Sequence, residues 1–178
     1  MPGRPPVELT AAARLWLRVL VALCALFVVQ GVSWCVFGSF DPFGIWDTMA
    51  ARTLFGQGEL PPEAARFGRL LVVPLGATSA GFFALAALVL WRGVGREGTR
   101  AVYKNHLVGS EGRAWIVDAF AVGFAVWFLV DSLFCAAIGA WFNVLWVNLP
   151  ALVLVAIPTA LLRRALGQVL ASEDAVST

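Results

Sequence analysis

Four long apolar runs leave this chain few folds to choose from. Residues 19–37, 70–91 and 140–162 form runs of 19, 22 and 23 residues without a charge. Residues 115–138 form a fourth, of 24, whose only charges are Asp118 and Asp131. A bilayer core of about 30 Å needs about 20 helical residues to cross it. Each run is therefore long enough for one crossing. Lipid cannot satisfy backbone N–H and C=O groups, so each crossing must close its own hydrogen bonds as a helix. A β-barrel would instead show alternating segments of about ten residues. These runs are continuous.

Composition agrees. Of 178 residues, 60% are hydrophobic and 13% charged. A soluble domain carries about 25% charge. A chain this short could not hide so much apolar surface in a water-exposed fold. The expected fold is an all-α integral membrane protein: four transmembrane helices in an antiparallel bundle, forming one domain over residues 1–178. The expected spans are about 15–37, 68–92, 114–138 and 140–163. No A-x-A-like site follows the first run, so it reads as a retained helix rather than a cleaved leader.

Orientation follows from the basic residues. An even number of spans puts both ends on one side. That side would hold Arg4, Arg14, Arg18, Arg92, Arg96, Arg100, Lys104, Arg113, Arg163 and Arg164; the other would hold Arg52, Arg66 and Arg69. Ten against three places both termini and the middle loop in the cytoplasm. Usage rich in Ala, Gly, Arg and Val points to the plasma membrane of a bacterium, the inner membrane. Trp16, Trp34, Trp46, Trp91, Trp115 and Trp141 all fall near expected span ends, where an aromatic belt belongs.

The external loop, residues 38–67, carries its own signal. Asp41-Pro42 followed by Gly56 reads as cap, first turn and stop. Between them Phe43, Trp46, Met49, Ala50 and Thr53 share one helical face, and Asp47, Thr48 and Arg52 the other. A short amphipathic helix is expected, either at the membrane interface or packed on the helices. Leu60-Pro61-Pro62-Glu63 then starts the second span.

The cytoplasmic loop, residues 93–113, mixes glycines with basic residues. With Arg92 it holds five basic residues, namely Arg92, Arg96, Arg100, Lys104 and Arg113. These form either a topology signal alone or a lipid-facing patch, where each attracts anionic lipid by about 1 kcal/mol. Ser110-Glu111 caps the third span. Spans three and four are separated by almost nothing and form a tight hairpin. Residues 165–178 form a short cytoplasmic tail.

Asp131 is the most informative residue. It lies about 9 Å inside the outer boundary of its span. An aspartate near mid-span costs up to about 2.5–3.5 kcal/mol. It must be paired, hydrated or protonated. Gln30, Asn143 and Asn148 reach a similar depth, with Ser33 and Ser132 nearby. The four side chains Gln30, Asp131, Asn143 and Asn148 form the candidate binding site. They serve either as an outward-facing polar cavity or as hydrogen-bonding glue between helices. On a regular helix Asn143 and Asn148 stand about 140° apart, so only one should face Asp131. Asp118, one turn inside its span, lies within reach of water and Arg113.

Cys35 and Cys135 fall near the same ends of two parallel-running spans and could bridge as a disulfide. Asp131 and Cys135 are four residues apart and share a face, whereas Gln30 and Cys35 are about 140° apart. The disulfide and a Gln30–Asp131 contact are therefore competing arrangements. Pro74, Pro150 and Pro158 interrupt spans two and four. Gly76-x-x-x-Ala80 and Ala77-x-x-x-Gly81 give span two a small-residue face for close helix contact.

Much is discounted. Three cysteines without a C-x-x-C and one histidine, His106, make no metal site of the usual kind. No glycine loop cradles a phosphate, and no metal, cofactor or nucleic-acid partner is expected. The chain resembles neither four-span small multidrug transporters, which carry a glutamate in the first span where this one has only Gln30, nor four-span disulfide-generating enzymes, which need cysteine pairs. A non-enzymatic membrane protein is expected, binding or passing a small solute or proton through an outer-half site around Asp131. The alternatives are an accessory or structural subunit and a membrane enzyme acting on lipid or thiols. The expected partners are the bilayer itself and a homo-oligomer or larger membrane complex, because four helices rarely enclose a wide pore.

Overall fold

The computed structural model of the protein describes residues 9–40, 43–95 and 110–177, and every regular element among them is helical. In chain order these are α1 (Ala11–Phe37), α2 (Ile45–Ala50), α3 (Pro62–Val89), α4 (Ser110–Ala137), α5 (Trp141–Asn143) and α6 (Leu149–Ser177). Three π turns continue them: Ala51–Phe55 after α2, Leu90–Val94 after α3, and Val144–Asn148 joining α5 to α6. Four stretches are long and apolar enough to cross a membrane: Ala11–Phe37, Pro62–Val94, Arg113–Ala137 and Trp141–Gln168.

The ends of these helices follow local chemistry. Thr10 caps α1 through its hydroxyl, which accepts the Ala13 N–H at 3.1 Å. At the other end Gly38 takes φ +62°, and its N–H returns to the Trp34 carbonyl at 2.9 Å. Pro62 opens α3, with Glu63 in the first turn where the dipole favours an acid. This moves the second span's start forward from residue 68. The expected short tail from residue 165 continues the helix: α6 runs to Ser177, and Ala165 and Leu166 are buried.

The short helix of the first loop is present and stops at Gly56, as the sequence implies. Its start differs. Gly44, at φ +70°, is the N-cap of α2, and the Thr48 hydroxyl folds back on the Gly44 carbonyl. Asp41 and Pro42, expected to cap it, lie outside the described residues, as do Arg4, Arg96, Arg100, Lys104 and His106. The buried residue here is Ala51, while Phe43, on the expected apolar face, is 84% exposed.

The chain divides into two compact units. The first comprises Met1–Leu23, Ala86–Ala125 and Val153–Thr178. Its core holds Leu17, Leu20, Leu90, Val117, Leu162 and Leu166. Arg113, Val117, Phe120 and Phe124 are all buried and recur at the spacing of one helix stripe. Arg113 therefore belongs to the core and not to a lipid-facing surface. Asp118 also finds a different partner from the expected Arg113: Arg163 Nε donates to its Oδ1 at 2.8 Å.

The second unit comprises Cys24–Leu85 and Val126–Leu152. Here α1 and α3 touch backbone to backbone. A Cβ on Gly31 would lie 2.6 Å from the Gly76 carbonyl oxygen and 2.8 Å from the Ala80 nitrogen. A Cβ on Gly76 would reach Trp34 and the Cys35 sulfur. The Gly76/Ala80 face is thus used, whereas Gly81 has open space around it. Phe27 stacks on Phe83 with centroids 4.6 Å apart. Residues such as Val29, Val36, Leu70, Leu133 and Trp146 point outward, a pattern costly in water and ordinary against lipid chains.

Candidate functional site

The site is built on a turn within the second unit. Gly139 takes φ +78° after α4. Its N–H returns to the Ala136 carbonyl at 3.1 Å, and the Ala140 N–H reaches the Cys135 carbonyl at 2.8 Å. This is the paired 5→2 and 6→1 pattern of a Schellman stop, with Ala140 and Cys135 buried against it. The chain turns back at once into α5. Side chains at comparable distances from this turn then meet, Cys135 with Asn143 and Asp131 with Asn148.

Asp131 Oδ2 is the centre. It accepts the Asn148 Nδ2 at 2.7 Å and the Asn143 Nδ2 at 3.0 Å. The Cys135 thiol lies 3.9 Å from the same oxygen. Asn148 Nδ2 also donates to the Ser132 hydroxyl at 3.0 Å, and Asn143 Nδ2 to the Cys135 sulfur at 2.9 Å. Asn148 is fully buried and Asn143 nearly so; Asp131 and Ser132 are half-buried.

Both asparagines reach Asp131, against the expectation that only one could. The cause is the π turn. The Leu149 N–H bonds the Val144 carbonyl, one residue further back than in an α-helix. The wider turn brings residues five apart onto one face, as four apart are in a regular helix. Pro150 explains the placement. It has no N–H to donate, and its ring crowds the carbonyl four residues back, that of Trp146. Widening the turn relieves that crowding.

Gln30 is not part of the site. Its side chain makes no hydrogen bond among the described residues, and its carbonyl accepts the Ser33 hydroxyl. Gly31 and Cys35 set the face of α1 held against α3, and Gln30 stands about 100° round from Gly31. Cys35 and Cys135 are not bridged: all three cysteines are free thiols. Cys35 donates to the Val73 carbonyl at 3.2 Å, and Cys135 is taken by Asn143. Of the basic patch, Arg92 is exposed and Arg113 is buried.

Two features of the site escape a reading by helical period. Cys135 is an acceptor for Asn143, and Ser132 is an acceptor for Asn148. An aromatic row borders them. Trp34 meets Phe40 at 5.0 Å, Phe40 meets Trp46 at 5.2 Å, and Trp46 meets Phe142, the residue before Asn143, at 4.7 Å.

Oxygen atoms of the site remain uncommitted. Asp131 Oδ1 accepts no hydrogen bond among the described residues. Asn148 Oδ1 is buried and has no partner. No ion pair reaches Asp131 among the described residues. The arrangement can fix a carboxylate by one oxygen and present the other.

No protein-family model, curated protein or solved structure matches this chain.

Proposed function

We propose that this chain is a multi-pass membrane protein that binds or passes a small solute or a proton at a polar site centred on Asp131. The supporting observation is the convergence of Asn143 and Asn148 on Asp131 Oδ2. A carboxylate within a membrane span is costly unless its charge is met. The two amides hold the carboxyl group in place without cancelling its charge, and leave Oδ1 for a ligand. In this reading the helices pack as a bundle in a bacterial inner membrane. Ten basic residues on the side of the termini, against three, support an outer-half location for the Asp131 site.

A second reading has its own support. Three donors around one oxygen also form a strong hairpin clasp, as in an accessory or structural subunit. Labelling with a hydrophobic carbodiimide separates the two. The reagent attacks a protonated carboxyl in apolar surroundings. Asp131 is expected to label in membranes, with its peptide identified by mass spectrometry. Failure to label at any pH, with that peptide detected, favours the clasp and removes the binding reading.

A further inference from the structure

We infer that the ligand of the Asp131 site is a small monovalent cation, an alkali-metal ion or ammonium, held between Asp131 Oδ1 and Asn148 Oδ1. This rests on the binding reading above and names its ligand class.

Three observations carry it. The first is charge. Among the described residues Asp131 is met by neutral groups: Asn143, Asn148 and the Cys135 thiol. A neutral solute would leave the charge uncompensated in a medium where that is expensive. An anion would add to it. A cation cancels it.

The second is the orphaned acceptor. An ionised carboxylate can only accept, so the amide of Asn148 must turn its nitrogen toward Asp131. That fixes the carbonyl oxygen on the other branch of the same amide, about 2 Å from the nitrogen by bond lengths. There it is buried without a donor. Buried polar atoms without partners are rare in folded proteins, and each asks for a partner. Carboxylate and amide carbonyl oxygens are the ligands that hard cations take. The fully buried Asn148 thus presents such an oxygen close beside the acid.

The third is valence. A divalent ion takes six or more oxygens, usually with several carboxylates among them. No group of three His, Cys, Asp or Glu gathers among the described residues. One carboxylate balances one positive charge.

The test uses the full-length protein purified in detergent. Its thermal unfolding is followed in chloride salts of lithium, sodium, potassium and ammonium, against choline chloride at the same ionic strength and at several pH values. A ligand that binds the folded state raises Tm with concentration. A saturable rise with at least one small cation, absent with choline, is expected. It should vanish in Asp131→Asn, whose side chain keeps the shape and loses the charge. In Asn148→Leu the apparent affinity should fall by about tenfold or more. Gly81→Ala, at a position with open space around it and no part in the site, should keep the saturable rise, and a cooperative melt in Asp131→Asn separates loss of the ligand from loss of fold. Two results overturn the inference. If Tm follows pH in the wild type but not in Asp131→Asn, and no cation has an effect, the site takes a proton alone; the binding reading stands and the cation does not. If neither pH nor any cation shifts Tm differently in wild type and Asp131→Asn, the binding reading falls with it.

Discussion

Asn143 and Asn148, five residues apart, donate to the same oxygen of Asp131. A regular helix would point them about 140° apart. The π turn over Val144–Asn148 is what aligns them, and it carries a direct test. Deleting Trp146, an exposed residue within that turn, leaves the asparagines four apart. Four is the spacing that shares a face in an α-helix. The deletion is expected to fold and to keep both amides on Asp131. Inserting one alanine after Trp146 puts them six apart and should lose one of the two bonds. Unfolding in mixed detergent compares the two, and an insertion as stable as the deletion would sink this account.

The two asparagines should not count equally. Asn148 makes the shorter bond to Asp131 and a second one to Ser132; Asn143 makes a longer bond and one to sulfur. Asn148→Ala is expected to cost about 1–2 kcal/mol, and more than Asn143→Ala. A double-mutant cycle of Asn148→Ala with Asp131→Ala should give a coupling of about 1 kcal/mol. Additive effects would mean that the pair does not interact.

The contact of α1 with α3 allows no side chain at Gly31. Its Cβ would meet backbone atoms, which cannot swing aside as a side-chain tip can. Gly31→Val should destabilise by about 1–3 kcal/mol, the usual cost of overpacking. Gly81→Ala, in open space, should stay within about 0.5 kcal/mol. The comparison is read from unfolding in detergent, where equal effects would refute the close crossing.

The three thiols should be countable without a reductant. Alkylation of the unfolded protein is expected to add three groups per chain. In the folded protein Cys35, only half-buried, should react before Cys24 and Cys135, which are buried. Recovery of a peptide linking Cys35 to Cys135 would contradict the structure.

The Asp118–Arg163 pair should matter little. Their side chains are 49% and 42% exposed. Pairs this exposed contribute about 0–1 kcal/mol in water. Arg163→Ala is expected to leave Tm nearly unchanged, and a large loss would show that the pair is shielded from solvent.

The apolar runs made the four long helices legible, because a span needs only length and hydrophobicity. Asp131 was legible as well, since an acid inside such a run stands out. Its partners were legible by identity but not by geometry. Asn143 and Asn148 stand at the right depth, yet their angular relation depends on a turn that a fixed 100° per residue cannot contain. Pro150 was the cue to that turn. Gln30 shares the depth but not the facing, because the face of α1 is set by Gly31, a residue whose importance shows only when Gly76 lies against it. The buried position of Arg113 was hidden for a similar reason: its charge argued for the surface, and its place on the Val117–Phe120–Phe124 stripe argued for the core.

The tight stop at Gly139 keeps the whole Asp131 network within residues 131–148. Among the described residues, no distant part of the chain supplies any of its hydrogen bonds. A hairpin that enters lipid as a unit therefore carries its acid past the headgroups already chaperoned by its own two amides. The most expensive residue to insert is delivered together with the groups that make its insertion tolerable, before the hairpin has docked on any other helix.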